Sequence, residues 1–213
     1  MTVTRLNYSP EAGNTYVLGE EGQPCIIVDI GDNAHHRLEA YVARHHNNQC
    51  LGILLTHGHY DHIAGLNDLY PDWKAPIFIA EEEAEFLRDP HLNASDSLFD
   101  DPFTANENLP YYFFEDEDEI KLGNFIIRAI LTPFHTRGSA CFYIEEEEIL
   151  FTGDTLFHGS IGRDDLPGAC PRQMEASLRK LIRLPKQTKI YPGHGPSSTL
   201  GDELSFNPFL RDL

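Results

Sequence analysis

The sequence predicts a layered α/β domain whose sheets mix parallel and hairpin pairing. Three observations predict it. Short apolar stretches of strand length alternate with helix-period segments in both halves of the chain. Turn signals between neighbouring strands add hairpins to that alternation. The polar residues able to do chemistry fall just after strands, where α/β folds usually place their sites. A chain of 213 residues suits one domain and can bury a core without disulfide staples.

Taken in order, residues 14–18 and 25–30 read as strands joined by the turn Glu20-Glu21-Gly22-Gln23-Pro24. Asp32 or Asn33 is placed to cap a helix running toward Arg44. Residues 51–55 form a short apolar strand and 57–61 a polar loop. Ile63, Leu66 and Leu69 follow at helical spacing, with Pro71 as the expected stop. Residues 77–80 read as a strand and 81–87 as a short helix. Residues 88–119 are acidic and irregular, a long connection that is either a functional wall or a loop with short helices. Residues 125–131, 140–144 and 149–152 read as strands, and 153–169 as a Gly-rich loop. Residues 171–184 suit a helix with proline in its first turn, and 189–191 a last strand. No repeat and no Gly/Ser linker interrupts the chain, so residues 1–213 are expected to form a single domain.

Sixteen basic against thirty-four acidic residues give a formal charge of −18, which disfavours nucleic acid and anionic membranes as partners. No apolar run approaches the ~20 residues that cross a bilayer, and the N-terminal residues lack the pattern of a signal peptide. Cys25, Cys50, Cys141 and Cys170 lie far apart with no C-x-x-C pair. Free thiols in a reducing cytoplasm are the expectation.

The chemistry concentrates in Thr56-His57-Gly58-His59-Tyr60-Asp61-His62. Imidazole nitrogens and carboxylate oxygens are the usual ligands of zinc and similar borderline cations. His57 and His59 project to one side of extended backbone. A lone histidine is far more often a packing residue, and Asp61 alone reads as a helix cap, but H-x-H-x-D-H in one loop is not explained by either. Three later segments repeat the strand-then-ligand arrangement. They are Leu131-Thr132-Pro133-Phe134-His135, Leu150-Phe151-Thr152-Gly153-Asp154-Thr155 and Tyr191-Pro192-Gly193-His194-Gly195. The paired histidines His35, His36, His45 and His46 read as solvated surface, Glu145 to Glu148 as an exposed turn, and Glu115 to Glu119 as a solvated acidic face.

Taken together, H-x-H-x-D-H, a single His, Gly-Asp and a last single His resemble the ligand order of the metallo-β-lactamase superfamily. Asp61 with His62, together with Asp154, resembles its glyoxalase II (hydroxyacylglutathione hydrolase) branch, as do residues 151–163 and Tyr191-Pro192-Gly193-His194-Gly195-Pro196 with Asn207-Pro208-Phe209. The similarity extends to the short, single-domain bacterial hydrolases of that branch. The resemblance implies an αβ/βα four-layer sandwich, two mixed sheets flanked by helices. It implies two divalent metal ions, zinc first, with iron or manganese as alternatives. His57, His59 and His135 would hold one, Asp61, His62 and His194 the other, and Asp154 with a water or hydroxide would bridge them. Asp61 and Asp154 would be the catalytic carboxylates. Asp29 would support a ligand histidine from behind, as metal-bound imidazoles require, with a plain turn carboxylate as the other reading. The implied activity is hydrolysis of a small acyl thioester of the S-acylglutathione type, or a related ester, by the bridging hydroxide, with no Ser, Cys or Lys nucleophile.

Two departures from the branch stand out. His135 is followed by Thr136-Arg137-Gly138-Ser139 where Thr-Pro-Gly is usual, and Asp164 and Asp165 follow Arg163. With a short stretch after His194, a C-terminal helical glutathione-binding domain of the kind the two-domain glyoxalase II enzymes carry is not expected. Substrate contacts would then fall to loops, with Arg163 as an anion handle and Arg137 as a second. The competing role for Arg163 is an ion pair with Asp164, Asp165 or the acidic 88–119 segment. The rival activities are an iron-dependent persulfide dioxygenase of the same superfamily and a non-catalytic metal-binding domain.

Overall fold

In the computed structural model, which describes residues 1–6, 13–31, 35–98, 100–211 and 213, the chain forms two units. One comprises residues 1–79 and 84–113, the other residues 80–83 and 114–213. Each is built around a mixed six-stranded sheet.

The first sheet takes β1 (Thr2–Leu6), β2 (Thr15–Gly19), β3 (Cys25–Val28), β4 (Cys50–Leu54), β5 (Ile77–Ala80) and β6 (Tyr111–Phe114) in chain order. β2 and β3 pair antiparallel across the turn at residues 20–24. β3 and β4 are parallel, with Ile27 opposite Ile53, because the helix α1 (His35–His45) returns the chain to the same end of the sheet. β2 and β3 are buried throughout, which is why they read as continuous apolar runs and not as alternating ones. Leu38 and Val42, one helical turn apart on α1, reach the core formed by Ile27, Ile53, Leu55 and Ile77. α2 (Tyr60–Ile63) and α3 (Leu66–Trp73) carry the chain from β4 to β5.

The second sheet runs in the order β14 (Ser198–Thr199), β13 (Lys189–Pro192), β10 (Ile149–Gly153), β9 (Ala140–Ile144), β8 (Phe125–Leu131) and β7 (Glu119–Leu122). Three antiparallel steps join β7 to β10. β13 lies parallel to β10, Leu150 opposite Ile190, after a crossover through α4 (Met174–Leu181). A small hairpin, β11 (Leu156–Phe157) with β12 (Ser160–Ile161), and the helix α5 (Leu200–Phe206) complete this unit. Its core gathers Leu150, Leu156, Leu178, Leu181 and Ile190.

Several expectations need correction. Pro71 does not stop α3, which runs on to Trp73. The proline removes one i→i−4 bond, and only two residues follow it before the helix ends. Residues 81–87 form one 3₁₀ turn at Glu81–Glu83 followed by turns, not a helix. The side chain of Glu83 is instead fully buried and accepts the Gly138 N–H at 2.8 Å. Residues 88–119 are not wholly irregular, since β6 lies inside them and β7 begins at Glu119. The 153–169 loop contains the β11–β12 hairpin, and the helix from Pro171 begins as a 3₁₀ turn and ends at Leu181. His46 is not solvated surface: it is 4% exposed, and its Nδ1 donates to the Gln23 carbonyl at 2.9 Å. His45 is partly exposed against Glu21. The capping residues Asp32 and Asn33, and the side chains of His35 and His36, lie outside the described residues. Glu145–Glu147 form an exposed 3₁₀ turn and residues 115–119 are exposed, as expected.

Leu181 lies on α4 and is completely buried in the second core. Leu181→Ala is expected to lower stability by about 2–5 kcal/mol. Urea unfolding should show a lower midpoint at unchanged slope.

Candidate metal centre

In the first unit the ligand loop leaves the end of β4 and enters α2. His57, His59 and His62 are buried, at 0%, 3% and 0% exposure. The His57 ring lies 4.8 Å from that of His59 and 4.2 Å from that of His62, centroid to centroid. Asp61, in the first turn of α2, places Oδ2 3.6 Å from His62 Nε2. These four side chains therefore converge on one region of this unit.

Asp29 stands behind them. It follows β3 directly and takes φ 55°, a left-handed conformation that aspartate tolerates better than most residues. Its Oδ1 accepts the Thr56 N–H at 2.8 Å, and its Oδ2 accepts the Thr56 hydroxyl at 2.7 Å. Oδ2 also lies 2.8 Å from His62 Nδ1. A carboxylate only accepts, so the proton of His62 sits on Nδ1 and Nε2 keeps its lone pair. The Thr56 hydroxyl has spent its one proton on Asp29. It must accept from His57 Nδ1 at 3.1 Å, which again leaves the lone pair on Nε2. One buried carboxylate thus sets the tautomer of two imidazoles.

Close backbone packing adds to this. A Cβ on Gly13 would lie 2.7 Å from the Asp61 carbonyl and 2.9 Å from the His62 ring. Asn93, fully buried, holds the entry to α2: its carbonyl accepts the Tyr60 N–H, and its amide donates to the carbonyls of Phe86 and Phe103.

In the second unit Asp154 follows β10 through Gly153, and its Oδ2 lies 3.5 Å from His135 Nε2 and 3.6 Å from His194 Nε2. Asp154 and His135 are buried, at 8% and 2% exposure, while His194 keeps 32% of its side chain exposed. His135 Nδ1 donates to the Arg163 carbonyl at 2.6 Å, so its Nε2 too carries the lone pair. The departure from Thr-Pro-Gly after His135 is met by a side-chain turn: Ser139 Oγ accepts the Thr136 N–H at 3.0 Å and bonds its hydroxyl at 2.7 Å. Arg137 Nε donates to the Glu82 carbonyl at 3.1 Å.

Arg163 has two parts to play. Its carbonyl orients His135, a role the sequence could not announce because any residue carries a carbonyl. Its guanidinium makes a two-pronged contact with Asp165, at 2.6 and 2.9 Å, with 62% of the side chain exposed. Asp165 holds the guanidinium pKa above its usual range, and Arg163 holds the Asp165 carboxyl below its own. The residue before, Gly162, admits no side chain, since a Cβ there would lie 1.9 Å from the Asp154 carbonyl and 3.2 Å from His135 Nδ1.

The donor set fits a divalent cation of borderline softness. Buried imidazoles whose Nδ1 protons are committed to acceptors offer Nε2, with carboxylate oxygens beside them. All four cysteines are free thiols. Burial pushes the Cys141 thiol up to about 11, which keeps it protonated and unsuited to nucleophilic attack.

The family model described as the metallo-beta-lactamase superfamily matches residues 8–194. The chain is similar to a probable metallo-hydrolase, YqgX, of Bacillus subtilis, 34% identical over 208 residues that cover 97% of this chain and 96% of that protein. It is 33% identical over 200 residues to the hydroxyacylglutathione hydrolase GloC of Haemophilus influenzae, covering 93% and 92%. Among solved structures, the BLEG-1 B3 metallo-beta-lactamase superposes with a TM-score of 0.90 at 34% identity, covering 98% of this chain and 99% of that one.

Gly162→Ala is expected to displace Asp154 and His135 together. Metal retained after dialysis should fall at least about tenfold, the range for losses of ligand support, while far-UV circular dichroism stays close to wild type.

Proposed function

The chain belongs to the metallo-β-lactamase superfamily, with the fold class of two mixed sheets and flanking helices that its motifs implied, and from that premise we propose that this metallo-hydrolase is a binuclear thioesterase. The observation that carries the reading is the position of Asp154, one carboxylate oxygen between two imidazole nitrogens that the ligand order gives to different ions. In this reading His57, His59 and His135 hold one ion, Asp61, His62 and His194 the other, and Asp154 is shared.

When bound, a divalent pair supplies Lewis acidity toward a carbonyl oxygen and brings the pKa of water to near 7. The residues of the chain supply placement. Asp29 and Thr56 hold His57 and His62 in the metal-binding tautomer, and the Arg163 carbonyl does the same for His135. Asp154 and Asp61 contribute negative charge that offsets two cations. The similarity to a hydroxyacylglutathione hydrolase supports an acyl thioester as substrate. The similarity to BLEG-1 favours a second reading, hydrolysis of a β-lactam.

Protein purified without chelator is expected to carry about two equivalents of zinc, iron or manganese together, and to turn over a chromogenic thioester but not a chromogenic β-lactam. A content that stays at or below one after metal loading sinks the binuclear reading. Turnover of the β-lactam alone moves the substrate to the second reading. Asp154→Ala should cost at least ~10²-fold in kcat/KM.

Arg163 is the proposed handle for an anionic thioester, in competition with Asp165 for the same guanidinium. Arg163→Ala should raise KM for an anionic thioester about tenfold, the equivalent of one charge-assisted hydrogen bond, and leave a neutral one unchanged. Asp165→Asn should lower the same KM. Equal effects on both substrates would return Arg163 to a structural ion pair.

A further inference from the structure

Glu203 is, like Glu83, a fully buried acid of the second unit that the proposed chemistry leaves unused. It lies on α5 at 0% exposure, with the half-exposed His158 beside it. A carboxylate in such a place is retained only if its lone pairs are met. Each oxygen accepts twice. Oε1 takes the Ser198 hydroxyl at 2.5 Å and faces His158 Nδ1 at 3.2 Å. Oε2 takes the Gly159 N–H at 2.8 Å and the Asn207 amide at 2.9 Å.

Asn207, four residues on and equally buried, continues the pattern. Its amide also donates to the Ser160 carbonyl at 3.1 Å and the Phe157 carbonyl at 3.4 Å. Glu203 and Asn207 between them thus grip four consecutive residues, 157 to 160, the turn of the β11–β12 hairpin.

That hairpin has a particular place in the chain. Asp154 lies just before it. Gly162, packed against the Asp154 carbonyl, and Arg163, whose carbonyl fixes His135, lie just after it. Phe157, at its start, meets the His194 ring at 5.9 Å. Tilting the hairpin would therefore disturb Asp154, His135 and His194 at once.

We propose that Glu203 and Asn207 are a positioning pair that fixes the 157–160 turn and, through it, the geometry of Asp154 and His135. The inference rests on the metal-centre reading above and goes beyond it, by assigning to α5 the upkeep of one unit's ligands. A carboxylate accepts all of these bonds, whereas a glutamine at 203 would turn an amide donor either toward the Gly159 N–H and the Asn207 amide, which cannot accept it, or toward the Ser198 hydroxyl, which would have to give up the bond it now donates.

The test measures zinc affinity by competition with a chromogenic chelator in wild type, Glu203→Gln and Asn207→Ala, beside the melting temperature of each metal-free protein. Leu181→Ala is the control, a core variant on α4 that lowers stability but removes none of the hydrogen bonds to the 157–160 turn. Glu203→Gln and Asn207→Ala are expected to weaken zinc binding tenfold or more, with Leu181→Ala near wild type at a similar loss of melting temperature. Wild-type affinity in Glu203→Gln, or equal weakening in Leu181→Ala, would overturn the positioning role while leaving the metal centre intact. A wild-type protein that takes up no zinc, iron or manganese would overturn the metal centre itself, and the positioning role with it.

Discussion

The candidate site depends on one constraint, that His57, His62 and His135 keep the proton on Nδ1 and offer Nε2. Imidazole alone has no strong preference, so the surroundings must decide. In the first unit a single buried carboxylate decides for His57 and His62, directly for one and through the Thr56 hydroxyl for the other. In the second unit a backbone carbonyl, that of Arg163, decides for His135. Removing such an acceptor leaves the ring in place but frees its proton to sit on the wrong nitrogen. That is why residues with no ligand role of their own carry so much of the expected function.

Topology explains how these groups come together within each unit. β3 and β4 are parallel neighbours, so Asp29 after one and Thr56-His57 after the other emerge at the same sheet end. β10 and β13 are parallel neighbours as well, so Asp154 and His194 emerge side by side, and the Gly193 N–H donates to the Gly153 carbonyl at 2.8 Å. Parallel pairs require crossovers, supplied by α1 and α4, and the apolar faces of those helices close the two cores. Packing and chemistry thus share one cause, since the connection that buries Leu38 or Leu178 also aligns the strand ends.

The strands β8, β9 and β10 were legible because their apolar runs are long and bounded by turn residues. β1 was not, being half polar and at the sheet edge; nor were β14, two residues long, and α5, whose single buried turn shows no period. The candidate ligand residues could be read from the H-x-H-x-D-H motif and the family resemblance, because metal chemistry restricts which side chains serve. Apart from Asp29, which the family resemblance implied, their supports could not. The burial of His46 depends on the Gln23 carbonyl, the orientation of His135 on the Arg163 carbonyl, and the closeness of Asp154 on the bare backbone of Gly162. Backbone groups are the same in every residue, so sequence gives no sign of which ones are used. The role of Glu203 is hidden from the sequence for a similar reason, since its four hydrogen-bond partners come from three separate segments.

The central claim is that Asp154 is shared by two metal ions. The most direct test is anomalous diffraction from crystals of the metal-loaded protein, with data collected on either side of the absorption edge of the metal found by elemental analysis. The account predicts two anomalous peaks about 3.5–4 Å apart, both within bonding distance of the Asp154 carboxylate. One peak near His57, His59 and His135 alone, with Asp154 turned away from it, would contradict the account.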